Sequence, residues 1–235
     1  MAVASRTATS KRKGLREDTI VTFYARWLDF YYRHRKQLYV GLAVVVVVVL
    51  GGIGYAYYQR QQEQRAQQLL GEVLPLYEQG KYREALDGAD GHSGLLELAR
   101  AYGSTNAGNL ARFYAADALY RLGEYEQALT LWAAFDSDDP MLAAAALAGQ
   151  AAVYENNGEH ARAAELYRRA ADRYDNPVVT PHYLLRAGRN YEAAGNLEAA
   201  RRMYETLRER YPDATQAIEA EIALARIAAR ASQPS

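Results

Sequence analysis

The 235-residue sequence predicts an all-α protein: a single N-terminal transmembrane helix, then an α-solenoid of about four helix pairs, closed by a C-terminal capping helix. Three observations predict it. Twenty consecutive residues, Tyr39 to Tyr58, carry no charge. From about residue 60 to 231, alanine-rich apolar stripes recur at helical spacing. Short breaks centred on glycine interrupt those stripes at comparable intervals.

Residues 1–17 read as a disordered basic cytoplasmic tail. The stretch MAVASRTATSKRKGL is small, polar and basic, and lacks the apolar content that offsets the entropy of ordering. Residues 18–38 are expected to form an amphipathic juxtamembrane helix, since Ile20, Phe23, Tyr24, Trp27, Leu28 and Tyr31 recur at helical spacing. Arg26, Arg33 and Arg35 are then available to lipid headgroups; the competing reading is a short soluble helix packed on a partner. Residues 39–58 are expected to cross the membrane. At ~1.5 Å of rise per residue such a helix matches a ~30 Å hydrocarbon core. The β-branched run Val44 to Val49 also suits a strand, but a strand of this length is far outside the usual range. A helix satisfies its backbone groups internally in lipid. Tyr39, Tyr55, Tyr57 and Tyr58 fall where the two interfaces belong. A cleaved signal peptide fits poorly: the run starts late, is too long, and has no A-x-A-like exit, so the anchor is expected to persist.

Formal neutrality hides an asymmetry of charge. Residues 1–38 hold 9 basic and 3 acidic side chains, leaving 19 basic and 25 acidic beyond, which is +6 against −6. Because basic residues resist translocation, the N-terminus is expected in the cytoplasm and the C-terminal domain in the periplasm of a bacterial inner membrane. A basic tail also suits nucleic acid, but beside a span it serves topology and anionic lipid, and no nucleic-acid partner is expected. The sequence contains no cysteine, which excludes disulfides, zinc–thiolate sites, thiol nucleophiles and a lipidated cysteine.

Residues 59–231 are expected to form the repeat domain, with 232–235 a frayed end. The breaks read LYEQGKYREAL, LYRLGEYEQAL, VYENNGEHARAAELY and NYEAAGNLEAARRMY, and their glycines, Gly80, Gly123, Gly158 and Gly195, lie 43, 35 and 37 residues apart. Each glycine suits the left-handed turn that ends a helix. An alanine five residues on (Ala85, Ala128, Ala163, Ala200) permits close helix approach, and Trp132, Tyr167 and Tyr204 supply large side chains to the inter-helix groove. The first unit has only Ala89 there, so its second helix is expected to be short. Asp139 before Pro140 reads as an N-cap, and Asp213 with Gln216 as a capping box. The last helix, from Asp213 to Arg230, is expected to cover the open end of the solenoid with Ile218, Ile222, Leu224, Ala225 and Ile227.

These units resemble the tetratricopeptide repeat. In the unit from Asn109 to Pro140, Ala115, Ala116, Leu119, Gly123, Tyr125, Ala128, Trp132 and Pro140 fall in register. The unit from Pro181 to Pro212 matches through Leu184, Gly188, Tyr191, Gly195, Ala200, Tyr204 and Pro212; the intervening unit departs at His160, where an aromatic is usual, and ends at Pro177. Span and repeats together resemble Bacteroidota-type single-span repeat proteins related to the ancillary subunit of the SecYEG translocon and to a periplasmic cell-division coordinator. The resemblance implies an inner-membrane adaptor or scaffold binding translocon components, periplasmic chaperones or export clients at the periplasmic face. A second reading is a self-associating, homo-oligomeric component of envelope or division complexes.

No catalytic constellation is legible. His34, His92, His160 and His182 show no metal-ligand spacing, and His160 falls at a repeat packing position. Asp136, Asp138 and Asp139 lack the glycine and glutamate of a calcium loop. Gly51, Gly52 and Gly54 lie inside the apolar run and form no phosphate loop. The protein is expected to be non-enzymatic, with no cofactor and no metal. Solenoids bind peptides along the first helix of each pair. Register places Phe113, Asp117, Tyr120 and Arg121 in such a groove in one unit, and His182, Leu185, Arg189 and Glu192 in another.

Overall fold

Four glycines set where the helices of the C-terminal region turn. Gly80, Gly123, Gly158 and Gly195 have φ of 76°, 82°, 77° and 79°, a region that a Cβ makes costly. The same pair of hydrogen bonds closes each turn. At the second break the Gly123 amide donates to the Tyr120 carbonyl at 3.0 Å and the Glu124 amide to the Leu119 carbonyl at 2.9 Å. This is the Schellman arrangement, which satisfies carbonyls the ending helix leaves open.

The computed structural model of the chain describes residues 11–89 and 91–231, and among them are ten α-helices and no strand. Helix α1 (Lys11–Glu78) runs through the segments expected as separate juxtamembrane and membrane helices and continues beyond Tyr58. It begins inside the stretch expected to be a disordered tail; residues 1–10 of that tail, and the expected frayed end at 232–235, lie outside the described residues. The chain divides into two units, Met1–Gln59 and Arg60–Ser235. In the first, Val40, Leu42, Val44 to Leu50 and Ile53 are all exposed. Phe30–Glu78 is long and apolar enough to cross a membrane, and none of its most apolar window is buried by protein.

In the second unit the helices pair as the glycines require. Residues 60–78 of α1 precede α2 (Tyr82–Asp87), a helix of 6 residues that matches the shortness expected of this degenerate unit. An additional helix, α3 (Leu95–Ala101), follows it and buries Leu95 and Leu98 in the same core as Leu86 and Ala85. Then come α4 (Asn106–Arg121) with α5 (Tyr125–Ala133), α6 (Pro140–Asn156) with α7 (His160–Arg173), and α8 (Thr180–Ala193) with α9 (Leu197–Arg210). The core is alanine at the close approaches, with Leu119, Trp132, Tyr167, Tyr204 and Leu207 filling the space between. Trp132, Tyr167 and Tyr204 are buried as their spacing predicted.

Glycines also receive two of those aromatics. A Cβ on Gly149 of α6 would stand 2.6 Å from the Trp132 ring, and one on Gly188 of α8 would stand 2.4 Å from Tyr204. Helix starts are fixed by side chains where the sequence supplies them. Asp139 accepts from the Met141 and Leu142 amides at 2.8 and 3.3 Å, with Pro140 as the first helical residue. The expected capping box at Asp213 does not form. Helix α10 (Thr215–Ala231) starts after a turn closed by the Ala214 amide on the Tyr211 carbonyl, and the Gln216 amide lies beside the His182 ring instead.

The face of α10 also differs from expectation. Ala217, Ala220, Ala223 and Ile227 are buried against the preceding pair, whereas Ile218 and Ile222 are each 62% exposed and Ala225 is exposed too. Alanines let α10 approach α9 closely, and the helix turns Ile218 and Ile222 outward to do so.

Candidate functional site

The expected groove residues of α4 are held by neighbouring helices. Tyr77, from the end of α1, donates its hydroxyl to Asp117 at 2.5 Å, and Arg121 donates to the same carboxylate at 2.5 Å. Arg121 also lies over the Tyr82 ring at 5.4 Å. Burial, reinforced by the Asp117 carboxylate, holds the Tyr77 hydroxyl well above the usual phenol range. The hydrogen bond to Asp117 in turn raises the Arg121 guanidinium. Tyr120 faces the next unit: it accepts from Asn156 at 3.0 Å and its ring lies 5.3 Å from Tyr125 and 5.8 Å from Trp132. Phe113 packs against Phe135 and Tyr114 at 5.2 and 5.8 Å. Contacts within the α4–α5 unit, joined at Tyr120 by Asn156 of α6, therefore engage both aromatics.

The expected groove residues of α8 face α10. His182 stands beside Gln216, Leu185 is buried, and Arg189 pairs with Glu219. Glu192 is the hub of that interface. It accepts from Arg226 at 2.7 Å, from Arg230 at 3.3 Å and from the Tyr204 hydroxyl at 3.4 Å. The face expected to be an open groove is thus an inter-helix seam, leaving a recess of about 140 Å³ lined by Leu185, Tyr204 and Ile222 among others. The two expected clusters belong to separate cores, one around Leu119 and one around Tyr204. They do not converge on one site.

A cleft the spacing of the sequence did not reveal lies between residues 63–74 of α1 and the start of α4. It encloses about 290 Å³ and is lined by Leu70, Gly71, Leu74, Ala107 and Leu110, with Glu63, Gln67 and Asn106 at its polar mouth. Gly71 leaves open space where a side chain would stand. Glu63 fixes the geometry: its carboxylate accepts the Asn106 and Ala107 amides at 2.7 and 3.2 Å, clamping the N-terminus of α4. Thr105 accepts the next amide, that of Gly108, at 3.0 Å. The only sequence signal for this site is the glycine amid leucines in QLLGEVL, which periodicity alone reads as an ordinary helical surface.

His160 contacts Asn190 at 2.9 Å, while the Asn190 amide nitrogen donates to the Arg186 carbonyl at 3.0 Å. That orientation presents the Asn190 oxygen to His160, so Nδ1 is the donor and the histidine works as a packing group. Among the described residues no three His, Asp or Glu side chains gather closely enough to hold a metal ion.

The register of the last three pairs, each turned at a left-handed glycine with an aromatic nine residues on, agrees with a comparison of sequence families. Residues 29–206 match the tetratricopeptide repeat-like domain. The chain belongs to that family. No curated protein matches it. Tetratricopeptide repeat-like domains generally mediate protein–protein interaction and serve as scaffolds, and an open apolar cleft with a hydrogen-bonding mouth is in keeping with that role.

Proposed function

We propose that the protein is a membrane-anchored adaptor whose repeat domain binds other polypeptides on the periplasmic side of a bacterial inner membrane. The observation that carries the reading is the apolar run from Tyr39 to Tyr58, wholly exposed, leading into a repeat domain with an open apolar cleft. An apolar surface of that size in water is strongly unfavourable; a bilayer covers it and demands no side-chain partners. The charge asymmetry on either side of the run supports a cytoplasmic N-terminus. The resemblance to the translocon-ancillary group supports translocon components, periplasmic chaperones or emerging export clients as the polypeptides bound. The cleft between α1 and α4 suits an extended or helical segment that offers one or two aliphatic side chains and backbone groups for Glu63, Gln67 and Asn106.

Photo-crosslinking in cells from Gln67 and Leu110, with Arg201 on α9 as the control position, tests the reading. Translocon, chaperone or client adducts at the first two positions and none at the third are expected. Identical adduct patterns at all three would refute a specific cleft. Topology is tested separately with a periplasm-dependent reporter fused after Ser235, which should be active; activity only in the cytosolic form of the reporter would reverse the orientation.

A further inference from the structure

Helix α10 bears two apolar stripes. The inner one, Ala217, Ala220, Ala223 and Ile227, is buried on the repeat domain, and the outer one, Ile218, Ile222 and Ala225, is exposed, with Ile222 also at the rim of the recess beside Leu185. Isoleucines four residues apart, each 62% exposed, form a ridge rather than scattered contacts. The flanks of this ridge differ in charge. On one side Glu219 precedes Arg226 and Arg230, so acid occupies the first half of the helix and base the second. On the other side stands Glu221. Neither half of the first flank is free to rearrange, because Arg189 holds Glu219, and Glu192 holds Arg226 and Arg230. All three side chains remain about half exposed, at 48, 49 and 56%.

We propose that the outer stripe of α10 is the contact between two copies of this chain, paired antiparallel about a twofold axis. In an antiparallel twofold pair, like flanks meet head to tail. Glu219 of one copy then lies beside Arg226 and Arg230 of the second, and the same contact repeats by symmetry. A parallel pair brings unlike flanks together and sets Glu219 against Glu221, acid on acid, which disfavours it. The apolar ridge is self-complementary in the same register: Ile222 of one copy meets the small Ala225 of the other, twice. The ion pairs within each chain pre-set the charged groups, so little side-chain entropy is lost when the copies meet.

A helix of 17 residues is about 25 Å long, and one face of it buries less than the ~800 Å² per partner of a durable soluble complex. The contact is therefore transient, and covalent capture is the suitable readout. The chain has no cysteine, so single substitutions report unambiguously. The full chain is purified in detergent micelles as Ile222→Cys, Ala225→Cys and, as a control on the exposed surface of α7, Ala161→Cys, and each is mildly oxidised. Disulfide-linked dimer is expected to form about tenfold faster at the two α10 positions than at the control, as a pairing worth ~1.4 kcal/mol requires. In the Ala225→Cys background, Glu219→Arg should slow capture about fivefold by placing like charges in register. Equal rates at all three positions would overturn the pairing. Capture at Ala225→Cys that ignores Glu219→Arg would overturn the antiparallel register.

Discussion

Gly149 and Gly188 are defined by what sits on them. Adding one methyl at either position drives it into the ring of Trp132 or Tyr204, and neither ring has room to retreat because both are buried. Gly149→Ala and Gly188→Ala are each expected to cost about 1–3 kcal/mol, read as a lowered midpoint in thermal unfolding. Gly123 presents a different physics. A Cβ there meets nothing within 4 Å, so Gly123→Ala costs only the left-handed backbone, about 1 kcal/mol. If Gly149→Ala proved as mild as Gly123→Ala, the steric reading of the aromatic seats would fail. Tyrosines give the protein an alkaline limit. Burial pushes the Tyr204 hydroxyl up to about 12 and raises Tyr77 and Tyr167 as well. Since their folded values lie above the ordinary ~10, the stability they confer is complete below pH ~10 and declines as pH rises through the folded values. Tyrosinate absorbance and helical circular dichroism should accordingly change together in that range; ionisation of these groups without loss of helix would contradict it.

At the scale of elements, two helix starts rest on carboxylates used in different ways. Asp139 caps α6 from the adjacent residue, whereas Glu63 caps α4 from another helix, 43 and 44 residues away in sequence. Asp139→Ala is expected to lower stability by about 1 kcal/mol and leave binding untouched. Glu63→Ala removes both a cap and the clamp of the cleft, so it should also weaken crosslinking from Gln67. The first kind of cap is legible in a sequence because donor and acceptor are neighbours. The second is not, because nothing local tells Glu63 that α4 will begin beside it. The same distinction governs the expected groove. His182, Leu185, Arg189 and Glu192, expected to line a groove, face α10 instead, and only the packing of the two helices reveals it.

Across the whole molecule, the proposed anchor assigns the exposed apolar run and the repeat domain to different solvents. Extraction from membranes should require detergent rather than high salt or alkali, since a buried apolar helix is indifferent to screening. Release by salt alone would remove the anchor from the proposal. Within the repeat domain much of the core is alanine and the large side chains are few and fixed, and the packing leaves open the cleft beside Gly71, recesses beside His160 and Tyr154, and the outer ridge of α10.

The amino-acid sequence by itself determined the turns, the helical periods, the twenty-residue apolar run and the places where aromatics wedge between helices. Each of these follows from backbone sterics or from side chains a few residues apart, so the chain carries the information locally. Tertiary structure alone decided which of the two apolar stripes of α10 is buried, which face of α8 is closed, and where a cleft opens at α1 and α4. Alanine and isoleucine at the same period are equally apolar to a reader of sequence; the distance at which two helices can pack distinguishes them, and that distance exists only once the helices meet.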